Sequence, residues 1–134
     1  MTDELNARLE RGRAAYGHQF GALPDDAEAR LGEVVGRRMA HEAVLAAGGV
    51  WGDGSLSTRD RSVAVVAALV ALGGSEARLR GHLGLALDNG LSPDGLEELL
   101  TLLALYVGYP RASVAMEVLR TLLVSRPSAH TATS

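Results

Sequence analysis

His82 stands in "RLRGHLGLALDNG", residues 78 to 90, with leucines on either side. In a helix it shares a face with Leu79, Leu83 and Ala86. A neutral imidazole in such surroundings must satisfy both ring nitrogens or lose a few kcal/mol. Two readings fit it: a packed structural histidine, or an acid/base whose pKa the surroundings tune. Upstream, "STRDRS" at 57 to 62 supplies two arginines and an aspartate. These residues either cap a helix and decorate its surface, or let Arg61 reach inward to fix a carboxylate with its planar fork. A helix start adds its own attraction for an anion. Trp51, the only tryptophan, sits in a glycine-rich loop and either anchors that loop or walls a pocket. Tyr106 closes a leucine helix and is either core or a phenol aimed into a site. Glu97 and Glu98 read as a solvated face.

Much chemistry is excluded by composition. With no cysteine there is no disulfide, thiolate nucleophile or iron–sulfur cluster. All 13 basic side chains are arginines, so a Schiff-base lysine is absent as well. His41 and Glu42 begin an "HE" pair, but Leu45 stands where a zincin helix needs its second histidine. The four histidines have no ligand spacing, so no metal is expected. His18, His41 and Glu42 remain open as additional site residues. A net charge of −3 argues against nucleic acid. The longest strongly apolar run, Val63 to Gly74, is too short for a bilayer. The N-terminus lacks the layout of a signal peptide, so a cytoplasmic protein is the expectation.

The elements that must position these residues read as helices. Residues 4 to 20 form an amphipathic helix, and "GALPDD" breaks it, with Asp25 or Asp26 as the next cap. One helix is predicted over 27 to 47, with Leu31, Val34, Val35, Met39 and Leu45 as apolar positions. Four glycines between Gly48 and Gly54 then interrupt the chain. Ser57 and Asp60 resemble a capping pair ahead of "SVAVVAALVAL", which is apolar nearly all round and predicts a central, buried helix. Ser75 caps the helix of His82, and Gly90 takes the left-handed position that ends it. Ser92 caps the next, with Pro93 at its first position. A last helix runs over 110 to 124. The prediction is all-α with about six helices, a single domain over 1 to 124 and a disordered tail over 125 to 134. Apolar residues make up 47% of the chain, which for a small domain predicts a homo-oligomer.

In order along the chain come Trp51 with Leu56 five later, "RDRS" opening an apolar helix, "LRGHLGLALDNGLS", "EELL" and "YVGYP". In that register the segment resembles the carboxymuconolactone decarboxylase family, with a family-like core over 51 to 124. The resemblance implies a helical fold assembled as trimers or hexamers, with sites near subunit interfaces. One branch of that family is a peroxidase with a CxxC ahead of the histidine; Ser75 and Arg78 hold those positions here. The other branch is cofactor-free and decarboxylates a small unsaturated lactone. By that resemblance His82 is the catalytic acid/base and Arg61 a carboxylate anchor or site organiser. Trp51, Asp53 and Tyr106 become substrate-binding residues.

One departure bears on the substrate. The decarboxylases usually read W-x-R-P-G-L, whereas this chain reads "WGDGSL", with Asp53 in the arginine's place and Gly54 in the proline's. A carboxylate there repels an anionic substrate by about 1 kcal/mol, which points to a less acidic substrate. The expected activity is a decarboxylase-like lyase on a small lactone or cyclic enol. Lactone or enol isomerisation, cyclisation in secondary metabolism, and a non-catalytic ligand-binding oligomer are the alternatives.

Overall fold

The computed structural model describes residues 2–52 and 54–126, and among these every regular element is a helix. Seven helices form where about six were predicted. They fall into two compact units, Met1–Thr58 and Arg59–Ser134. Asp53 and the tail beyond residue 126 lie outside the described residues.

The first unit holds α1 (Asp3–Phe20), α2 (Pro24–Val35) and α3 (Arg37–Val50). Thr2 starts α1 by accepting the Leu5 N–H at 3.3 Å, and Gly21 ends it in the left-handed conformation that glycine adopts without strain. Neither aspartate caps α2. Leu23 occupies that position without a side-chain bond, Pro24 follows at the first turn, and Asp25 and Asp26 lie within the turn, where they complement the helix dipole.

The helix predicted over 27 to 47 is broken at Gly36, whose φ of 87° and ψ of 152° take the chain out of helical geometry. Glycine permits this, and the break folds α3 back beside α2 and α1. The apolar pattern is reassigned as a result: Leu31 joins the core with Leu9, Ala40 and Val44, while Val34 and Met39 stay 71% and 64% exposed.

Close approach of α1 to α3 depends on two glycines. A methyl group on Gly12 would collide with the Val44 carbonyl, and one on Gly48 with the Arg8 carbonyl. Arginines of α1 then serve the end of α3: Arg8 Nε donates to the Leu45 carbonyl at 2.8 Å and Arg11 Nε to the Gly48 carbonyl at 3.1 Å. The Gly48 carbonyl is one of the last four of α3, which lack an intrahelical donor, while the Leu45 carbonyl gains a further donor beside its own helix.

A polar cluster ties all three helices. Glu28 of α2 accepts from Arg13 Nε of α1 at 3.2 Å, and its other oxygen lies 2.8 Å from Nδ1 of His41 on α3. Burial raises the Glu28 pKa, but the His41 and Arg13 hydrogen bonds and charges outweigh it and leave the carboxyl below its ordinary value. A lowered carboxyl pKa contributes stability above the unfolded value of about 4.3, lost as pH falls through the folded value. Acidification below about pH 4.3 is therefore expected to weaken the wild-type unit. Glu28→Gln should be less stable at pH 7 by about 1 kcal/mol and show a flatter acid limb in urea unfolding. Equal acid slopes for both proteins would remove Glu28 from this account.

The second unit holds α4 (Thr58–Leu72), α5 (Glu76–Asp88), α6 (Pro93–Val107) and α7 (Tyr109–Ser125). The caps of α5 and α6 follow the sequence reading. Ser75 Oγ accepts the Arg78 N–H at 3.2 Å, Ser92 Oγ accepts the Gly95 N–H at 2.9 Å, and Gly90 has φ 108°. Gly108, also at positive φ, separates α6 from α7. Leu79, Leu83, Leu96, Leu100, Leu119 and Val66 lie in one apolar cluster, each worth about 1.5–3 kcal/mol by burial. At the helix ends, Arg126 donates to the Gly84 carbonyl at 3.1 Å and pairs with Asp88 at 2.7 Å, tying α7 to α5. The helix predicted to be central is buried on one side only, at Ser62, Val66 and Val70. Leu72 at its end is 76% exposed. No helix among the described residues is long and apolar enough to cross a membrane.

Candidate functional site

Helix α5 carries His82 because Ser75 starts the helix seven residues earlier and its buried Leu79, Leu83 and Ala86 fix its rotation. That rotation leaves His82 half-buried beside the apolar face. Desolvation pushes the imidazole pKa below its ordinary value, because burial disfavours the charged ring. The neutral form therefore predominates at neutral pH.

Asn89 lies seven residues further along, close to the same face and about 10 Å up the helix axis. Its Nδ2 donates to Ser62 Oγ at 2.9 Å. Ser62 is 2% exposed, the one polar side chain in the otherwise apolar set of buried residues described. Buried hydroxyls need such a partner, and the bond pins the first turn of α4 to the end of α5. Arg61, partly buried, precedes Ser62 in that turn. The second unit thus brings the turn of Arg61 to the His82 helix through Asn89.

Neither Asn89 nor Ser62 was picked out by sequence reasoning. "DNG" reads as a helix end and "RDRS" as a cap, and neither pattern reports a contact across 27 residues. The signal available was small: a serine inside an apolar helix, one step round from Arg61.

The remaining candidates lie elsewhere. Tyr106, on α6, is 76% exposed in the single chain. Trp51 ends α3 in the first unit, where its N–H bonds the Ala47 carbonyl at 2.8 Å and its side chain is partly buried. Asp53 is outside the described residues. His18 and Glu42 are exposed on α1 and α3, and His41 belongs to the Glu28 cluster. Among the described residues no group of three or more His, Asp or Glu side chains is placed to hold a metal ion.

Similarity to known proteins falls on the same segment. A sequence model of the carboxymuconolactone decarboxylase family matches residues 39–121, from within α3 to within α7. The 4-carboxymuconolactone decarboxylase of Acinetobacter baylyi is 40% identical over 71 residues, covering 53% of this chain and 52% of the relative. The chain spans about half the length of the curated relative that it matches. His82, Arg61, Ser62 and Asn89 all lie inside the matched residues, which make up more than half of the chain. The chain belongs to the carboxymuconolactone decarboxylase family.

Proposed function

We propose that this protein is a cofactor-independent lyase that removes CO₂ from a small unsaturated lactone carboxylate, with His82 delivering the proton. The observation that carries this reading is a half-buried histidine of lowered pKa on α5, inside the family-matched segment. Heterolysis of the C–CO₂ bond leaves an electron pair that a conjugated butenolide spreads to its lactone oxygen as a dienolate. The ring is its own electron sink. The protein's tasks are to orient the acid, stabilise the enolate oxygen and protonate carbon.

Arg61 suits a carboxylate that stays on the product, since gripping the departing one would stabilise the ground state. An anion bound beside His82 raises the imidazole pKa and recruits a proton from solvent. That imidazolium then protonates the dienolate carbon, and the ring returns to its neutral resting form. Tyr106, exposed on α6, fits as a pocket wall where a second copy covers that helix. Asp53 favours a substrate with fewer charges than carboxymuconolactone.

A panel of butenolide and cyclic enol carboxylates, with 4-carboxymuconolactone included, tests the reading by CO₂ release and by NMR of the product. Turnover of one member with deuterium from D₂O appearing at the former carboxyl-bearing carbon or its vinylogue is the expected result. No CO₂ from any member would overturn it. Conversion without CO₂ loss would point instead to isomerisation.

A further inference from the structure

The first unit carries a surface that the decarboxylase reading leaves unused. An open groove of about 860 Å³ runs between α2 and α3, and a recess of about 770 Å³ adjoins the Gly36 turn. Arg37, Arg38 and Glu42 line both, and Glu33 lines the groove. All four are exposed, and none makes a hydrogen bond or ion pair among the described residues. Both arginines stand in the first turn of α3, where the helix dipole disfavours positive charge. Arg38 and Glu42 are four apart with the arginine first, the weaker order for a pair along one helix. The exposed Val34 and Met39 flank these charges.

A small ligand of one charge fits this lining poorly, because the arginines attract an anion that the carboxylates repel. A partner with both signs in mirrored order fits it well, and the chain itself is such a partner. We propose that α3 and the α2–α3 corner form a two-fold interface between copies of this chain, with α3 antiparallel to α3. A two-fold axis level with residue 40 exchanges positions 38 and 42, so Arg38 of each copy faces Glu42 of the other. Met39 then lies beside the axis and is covered with Val34, while the arginines gain the negative charge that their helix terminus lacks. Val34, Arg37 and Arg38 precede residue 39, where the family match begins, and Met39 and Glu42 fall within it. It does not rest on the decarboxylase reading.

Charge reversal tests it by light scattering and native mass spectrometry. Arg38→Glu places two carboxylates opposite two, and Glu42→Arg places two guanidinium groups opposite two; each variant alone should show half the wild-type mass. Mixed together, they should restore that mass as a one-to-one hybrid. Circular dichroism checks that both remain helical. Raising the salt on the wild-type protein, which needs no variant, should raise the concentration at which the assembly halves. A wild-type mass of one copy, variants that assemble like the wild type, a mixture that fails to combine, or an assembly indifferent to salt would each overturn the proposal.

Discussion

Replacing His82 by glutamine is expected to lower kcat/KM on the true substrate by about 10²- to 10⁴-fold, the span that a positioned general acid contributes. Glutamine keeps comparable bulk and a hydrogen-bonding end but cannot shuttle a proton at neutral pH. On the proposed function KM should change less, since Arg61 rather than His82 would hold the substrate carboxylate. The pH dependence carries a second signature. Burial lowers the His82 pKa in the free protein, so the imidazolium required for proton delivery is lost as pH rises through a value below the ordinary 6.5 or so. The kcat/KM profile should therefore fall on the alkaline side of that midpoint. Within the complex a bound carboxylate raises the pKa, so the fall in kcat should come at higher pH. His82→Gln should abolish both inflections. Full turnover by the variant would remove His82 from the mechanism and leave it a packing residue.

The same lowered pKa has a consequence for stability. The unfolded chain binds a proton at His82 more readily than the folded one, so stability rises with pH across this window. Between about pH 6.5 and the lower folded pKa, acidification should destabilise the wild-type second unit. His82→Gln should resist that loss.

The largest effect on folding is expected at Gly48. In Gly48→Ala the added methyl meets the Arg8 carbonyl, a backbone atom that cannot rotate away, so α1 and α3 must separate. Separation breaks the Arg8–Leu45 and Arg11–Gly48 hydrogen bonds and loosens Leu9 against Val44. Overpacking costs about 1–3 kcal/mol and each lost bond about 1. The sum, about 3 kcal/mol or more, is a large share of the margin that a small helical unit holds. Gly12→Ala should behave alike, because its methyl meets the Val44 carbonyl. Gly81→Ala is the control: nothing lies within 4 Å of its added methyl, and alanine within α5 should stabilise by about 0.5–1 kcal/mol. Thermal unfolding followed by circular dichroism separates the cases. If Gly48→Ala melts with the wild type, the tight crossing of α1 and α3 is wrong.

How far the fold was legible depended on the range of the forces involved. The starts of α5 and α6 were readable because a serine accepts a backbone N–H three residues away, and Pro93 tolerates the first turn. The Gly36 break was not. A lone glycine inside a helical pattern costs about 1 kcal/mol, and "EVVGRRM" keeps helical spacing across it. Packing of α3 against α1 decided the matter, and Val34 and Met39, read as apolar positions of one continuous helix, stay exposed on either side of the break. For α4, apolarity all round indicated burial without indicating what would supply the cover.

For the candidate site the division is similar. By itself, the amino-acid sequence determined the helical class, the face of α5 that His82 shares and the absence of thiol and amine nucleophiles, because these follow from residue type and spacing within a few turns. Its ordered motifs also sufficed to place the chain in its family. Only the tertiary structure decided that Asn89 meets Ser62 across 27 residues, that Arg8 and Arg11 of α1 reach carbonyls 37 residues on, and that Glu28 gathers Arg13 and His41. Each such contact depends on where two helices cross, and the crossing is set by the summed packing of both surfaces, which no local pattern encodes. The lowered pKa of His82 is of this second kind, since desolvation is a property of the assembled surroundings.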